Sequence, residues 1–196
     1  MLLGTLEFDS TNMSAAQAQL ERAIQVDPKN ALAYLRLGGI YQNQGQTDAA
    51  LAQYQKALAL QPKSAALIAL LGNVYLQKND LATARKYFAQ ALEADPNFPV
   101  ANANLAWVDA EEGKDLDNAL ALAQKAKYES PDLPAITDIL GWVMYKRGSY
   151  SGAIPFFQDC IRKTPDSAQF HYHLGLALLA AGQKDAGRAQ LQASLQ

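Results

Sequence analysis

The chain has 196 residues, 49% of them apolar and only 18% charged, with 17 Lys and Arg against 19 Asp and Glu. That is ample material for a core, and a formal charge of −2 without any Lys/Arg cluster argues against a nucleic-acid partner. No apolar run reaches the about 18 residues of a membrane span. The N-terminal residues lack the charged region and cleavage site of a signal peptide, and the single Cys160 cannot form an intramolecular disulfide. Compartment stays open between the cytoplasm and a cell envelope.

Taken in chain order, the sequence repeats itself. Pro28, Pro62 and Pro96 are spaced by 34 residues, Pro131 follows by 35, and Pro165 by 34 again. The same register aligns Leu3-Gly4, Leu37-Gly38, Leu71-Gly72, Leu105-Ala106, Leu140-Gly141 and Leu174-Gly175. It also aligns Ala50, Ala84, Ala119 and Ala153, then Tyr54, Phe88 and Phe157, then Ala57, Ala91, Ala126 and Cys160. The units run approximately over 1–30 (partial), 31–64, 65–98, 99–133, 134–167 and 168–196 (partial), one array without an internal domain boundary.

Each unit holds two stretches of about a dozen residues with apolar positions at i, i+3, i+4 and i+7, which predicts two amphipathic helices. Gly45, Gly113, Gly148 and Gly182 stand where the first helix must stop in a left-handed residue, and Asn79 takes that place in the third unit. Asn30, Ser64 and Ser167 are placed to cap the following helix. Pro99 and Pro134 suit a first helical turn.

The combination Tyr34, Leu37, Gly38, Tyr41, Ala50, Tyr54, Ala57 and Pro62, repeated as Leu71, Gly72, Tyr75, Ala84, Phe88, Ala91 and Pro96, resembles the tetratricopeptide repeat family over essentially the whole chain. The resemblance implies an all-α fold, an α-α superhelix or solenoid of about six helix-turn-helix repeats. It implies a scaffold for protein–protein interaction rather than an enzyme, with no cofactor. The phrases around Trp107, Trp142 and His171 to Ala177 resemble bacterial multi-repeat proteins linked to exopolysaccharide export and protein sorting, which implies a bacterial source.

A lone hairpin cannot bury its apolar face, so stability has to come from neighbour stacking. The chain starts inside one helix and stops inside another, with no polar terminal helix. The expectation is a piece of a longer protein, or ends that stack on another copy as a homo-oligomer. The fourth unit departs from the pattern. Asp109 and Ala123 stand where large core residues are expected, and Glu111 to Asp117 carries one extra residue. Looser packing and a flex point are expected there, with Trp107, Val108, Leu116 and Tyr128 as compensation.

No catalytic constellation is legible. His171 and His173 point about 200° apart at 100° per residue, so they cannot share a metal. His171 falls at a hairpin-core position and His173 on a flank. Cys160 takes a small-residue position and reads as a buried hydrophobe without an activating neighbour. Glu111-Glu112 and Asp115 to Asp117 read as a solvated turn that favours the next helix N-terminus.

In the resembling family the first helices of successive hairpins line a groove that takes peptides or helices. With the closing proline of each unit at position 32, the face opposite the hairpin core is formed by positions 2, 5, 9, 12 and 13. The candidate ligand-binding residues on it are Asn73, Trp107, Asp138, Trp142, Tyr145, Tyr172 and Leu176, with Asn104 on its flank. Tryptophan and tyrosine bring large rigid area at low entropy cost, which is why they concentrate in binding hot spots. The basic residues that a carboxylate clamp needs are missing, so the expected partner is a protein or peptide with an apolar or aromatic segment.

Overall fold

The computed structural model of the chain describes residues 10–195, and among them all regular structure is helical. Leu3-Gly4, expected to open the series, lies outside the described residues. The chain divides by compactness after Asp95. The first unit contains α1 (Ser10–Val26), α2 (Ala31–Asn43), α3 (Thr47–Leu60), α4 (Ala65–Gln77) and α5 (Leu81–Ala94). The second contains α6 (Pro99–Glu112), α7 (Leu116–Glu129), α8 (Pro134–Lys146), α9 (Tyr150–Lys163), α10 (Ala168–Ala180) and α11 (Lys184–Ala193). From α2 onward the helices pair as antiparallel hairpins, α2 with α3 through α10 with α11.

The local signals act where the sequence places them. Asn30 Oδ1 accepts from the Ala33 amide at 3.0 Å, and the Ser64 and Ser167 hydroxyls take the same role for Leu67 and Phe170. Asp80 and Asp115 add two caps, on Thr83 and Asn118. Each such cap is worth about 1 kcal/mol because it satisfies an amide that the helix itself cannot. Gly45, Gly113, Gly148 and Gly182 are left-handed, and Asn79 joins them at φ 57°. The extra residue of the fourth unit is absorbed after Gly113, where Asp115 takes a left-handed φ of 37° and caps α7.

What closes four of the five hairpins from α2 onward is a large side chain, a ring in three of them, packed against a missing one. A methyl placed on Gly38 would sit 2.5 Å from Tyr54 Cε1, and one on Gly72 would sit 2.6 Å from Phe88 Cε1. On Gly141 it would meet Phe157 Cε1 at 2.8 Å, and on Gly175 Leu191 Cδ2 at 2.8 Å. Tyr54, Phe88 and Phe157 are among the largest fully buried side chains, so none can swing aside. In α6 and α7 both members change together: Ala106 takes the glycine position and Ala123 the ring position, and both are fully buried. The hairpin expected to pack loosely therefore exchanges a ring for two methyls, and Leu140 and Val143 of α8 complete its cluster. Val108 is buried and Leu116 packs on that cluster, but Tyr128 is 84% exposed and compensates nothing.

In the second unit a polar device recurs six residues after each loop proline. Asn102 Nδ2 donates to the carbonyls of Pro96 (3.1 Å) and Phe98 (3.2 Å). Lys127 Nζ donates to Pro131 O and to Thr137 Oγ1, 2.6 Å away. His171 Nε2 lies 2.8 Å from Pro165 O, with Nδ1 2.6 Å from Gln190 Oε1. The corresponding residues of the first unit, Tyr34 and Ile68, are apolar. A buried polar group is tolerated only with a partner, and these side chains take the loop carbonyls that no helix satisfies.

Two outcomes follow. Gly72→Ala drives a methyl into the fixed Phe88 ring and should cost about 1–3 kcal/mol. In a Phe88→Ala background the same change should be neutral or stabilising, because alanine is the better helix former by about 1 kcal/mol. Urea titration of the four proteins measures this, and equal effects in both backgrounds would refute the contact. Secondly, burial pushes the Tyr54 phenol, which donates to Gln42 Oε1 at 2.8 Å, up to about 12. The unfolded phenol ionises near ~10, so the native state holds the proton longer and stability falls as pH rises through that interval. Tyr54→Phe should show a shallower loss of melting temperature above that pH than the parent chain.

Candidate functional site

The second unit brings most of the candidate residues onto its first helices, α6, α8 and α10. Trp142 of α8 is half-buried and lies at the centre of a row of rings. It stacks on Tyr145 (centroids 5.1 Å, 16° between planes) and on His173 of α10 (4.4 Å, 24°). Tyr145 continues to Tyr150 at 5.3 Å, while His173 also meets Phe157 at 5.5 Å and Tyr172 at 5.9 Å. The Trp142 indole N–H donates to Glu111 Oε1 at the end of α6. Lys146 reaches the same carboxylate at 3.5 Å and lies 5.4 Å from the Trp142 ring.

Polar bonds fasten α10 to α8. Gln169 Nε2 donates to Asp138 Oδ2 at 3.0 Å, and His173 Nδ1 lies 2.8 Å from Asp138 Oδ1. A carboxylate can only accept, so Nδ1 carries the proton. Asp138 was expected on the ligand-facing surface, but it is 2% exposed and both oxygens are used. It is thus a buried strut. His173, expected on a flank, is 8% exposed and sits within the ring row. Position 5 of α8 faces positions 2 and 6 of α10, which is why a flank residue ends at the seam.

Of the other candidates, Trp107, Asn104, Tyr145 and Leu176 are half-buried on α6, α8 and α10, and Tyr172 is 48% exposed. Asn73 is half-buried on α4 and belongs to the first unit. Two further residues bond into this row: Glu111, expected in a solvated turn, accepts from the Trp142 indole, and Gln169, which the sequence did not single out, donates to Asp138. Both obey the register rule, at positions 13 and 2, so the signal was present.

The one cysteine is not activated. Cys160 Sγ donates to Pro134 O at 3.1 Å, and burial, with Asp138 nearby, pushes the thiol up to about 12, far from the thiolate a nucleophile needs. Among the described residues no group of three His, Cys, Asp or Glu side chains could hold a metal ion, and no helix is long and apolar enough to cross a membrane.

Comparison with known proteins fits this architecture. A family model described as tetratricopeptide repeat matches residues 1–65 and 140–196, more than half of the chain, and a second of the same description matches residues 43–100. No curated protein matches. Among solved structures, the APC/C hetero-tetramer Cut9–Hcn1 is similar at TM-score 0.84 and 19% identity, over 94% of this chain and 37% of that one. This chain therefore spans well under half of that chain's length. PilW, a widely conserved type IV pilus biogenesis factor, is similar at TM-score 0.79 and 25% identity, over 95% of this chain and 92% of that one. YrrB, described as a TPR protein with an unusual peptide-binding site, is similar at TM-score 0.64 and 22% identity, over 90% of both chains. The hairpins, their ring-on-glycine contacts and these matches lead to one statement: the chain belongs to the tetratricopeptide repeat family, an all-α helical-repeat fold whose general role is to scaffold protein–protein interactions.

Proposed function

We propose that the chain binds a peptide or protein segment on the first-helix surface of its second unit, and that the segment is apolar or aromatic. The observation that carries this reading is the exposed Tyr172 ring at one end of the fixed row through His173, Trp142 and Tyr145. A rigid aromatic held by its neighbours loses little entropy when a partner covers it, the property that makes tyrosine a hot-spot residue. The nearby polar side chains are engaged with one another, Lys146 with Glu111 and Asp138 with His173 and Gln169, which favours an apolar or aromatic ligand over a charged one. Trp107, Asn104 and Leu176 extend it, and Asn73 offers a separate polar group on the first unit. The peptide-binding site of YrrB supports a peptide as the partner, and the likeness to PilW supports a role as a biogenesis factor for a larger protein assembly.

Selection of random dodecapeptides displayed on phage against the purified chain tests this directly. Enriched peptides should be rich in aromatic and large apolar residues. Their affinity should fall roughly tenfold or more, at least about 1.4 kcal/mol, in Tyr172→Ala. It should be unchanged in Tyr128→Ala, which removes an exposed ring on α7. Peptides indifferent to Tyr172, or equally sensitive to Tyr128, would overturn the assignment. Sedimentation velocity across concentration would reveal the competing case, in which a second copy covers the surface.

A further inference from the structure

We propose that Asp138 and His173 are positioning residues of this surface. Neither meets the partner; the carboxylate fixes the imidazole, and the imidazole fixes the Trp142 and Tyr172 rings in the pose that the partner reads. This rests on the binding reading above and names how that surface is held.

The geometry is a relay of contacts across the seam between α8 and α10. Asp138 Oδ1 faces His173 Nδ1 at 2.8 Å, while Oδ2 takes the Gln169 amide at 3.0 Å. Both acceptor oxygens of an α8 residue are thus committed to α10. An imidazole held by one ring nitrogen cannot turn over about its Cβ–Cγ bond, so the carboxylate sets which face it offers. That face lies 4.4 Å from the indole of Trp142, and the ring is 5.9 Å from that of Tyr172. The indole in turn is held by Glu111 through its N–H.

The repeat supplies its own control. At the position of Asp138 the preceding units carry Leu35, Ala69 and Ala103, and at that of His173 they carry Arg36, Leu70, Asn104 and Ile139. Hairpins of this chain therefore stack without a carboxylate or an imidazole there. Placing a carboxylate in a site only 2% exposed is costly unless it is paired, and an apolar residue of similar volume often serves stability better. The pair does something that stacking alone does not require, and what it touches is the ring row.

The test uses the full chain with Asp138→Asn, His173→Leu and the double variant. In a Trp107→Phe background Trp142 is the remaining indole, so the near-ultraviolet circular dichroism band of tryptophan reports its pose alone. Both single variants should change that band, by similar amounts, at temperatures where every variant is fully folded. Without the background change, each should weaken binding of the selected aromatic dodecapeptide by about tenfold, and the double variant should be no weaker than either, because both act through one contact path. Tyr172→Ala should weaken binding and leave the band as it was. An unchanged band in both single variants, or losses of affinity that add, would overturn the proposal. If His173→Leu fails to fold, the near-isosteric Asp138→Asn band decides. If no dodecapeptide is enriched, the binding reading falls, and the Trp142 band still decides for or against the pair.

Discussion

Two helices joined by a three-residue turn can approach only as closely as the bulkiest pair at their crossing permits. In four of the five hairpins from α2 onward that pair is a glycine on the first helix beneath a large side chain on the second: Gly38 with Tyr54, Gly72 with Phe88, Gly141 with Phe157, Gly175 with Leu191. The missing Cβ lets the side chain lie against backbone, and the side chain fills the space that two surface-to-surface helices would leave empty. Close packing of this kind is what interiors require, since an unfilled gap forfeits contact on every side. Hairpin geometry, and with it the direction in which each first helix presents its outer face, depends on this contact.

On that frame the two units are finished differently. Where the first unit uses Tyr34 and Ile68, the second uses Asn102, Thr137 and His171, each bonded into a loop carbonyl or a lysine that also holds one. Hydrogen bonds of this sort add little net stability apiece, but leaving such a buried group unmatched is expensive, so they specify one arrangement over its neighbours. The binding surface proposed above lies in the unit whose loops and seams are fixed in this directional way.

The repeat was legible because its signals are local. Proline spacing, the left-handed residues from Gly45 to Gly182 and the caps at Asn30, Ser64 and Ser167 each act within a few residues of where they stand. The candidate surface was legible only as a face. Which residue of that face turns to solvent and which to the adjacent hairpin depends on how neighbouring helices are offset, and no single-helix register contains that offset. Asp138 is the instructive case: its position is right for the outer face, and its carboxylate is drawn inward by Gln169 and His173 of the next helix. Glu111 is the converse, read as part of a solvated turn and found holding the Trp142 indole. Tyr128, credited with filling the fourth unit, lies in solvent, and that hairpin is closed by Ala106 and Ala123 with Leu140 and Val143 instead.

The Ala106–Ala123 exchange has a consequence for how such arrays diversify. Converting a glycine–phenylalanine crossing into an alanine–alanine one requires two substitutions that are each harmful alone, a case of sign epistasis within one hairpin. The two orders are unequal. Losing the ring first opens a cavity at about 3–5 kcal/mol, whereas gaining the methyl first meets about 1–3 kcal/mol of crowding, partly offset by helix propensity. The shallower route enters through the first helix. Because the stability of a repeat array is shared among its neighbours, intact crossings on either side give the chain room to cross that valley, and divergence of a single unit becomes accessible in an array where it would be closed to an isolated hairpin.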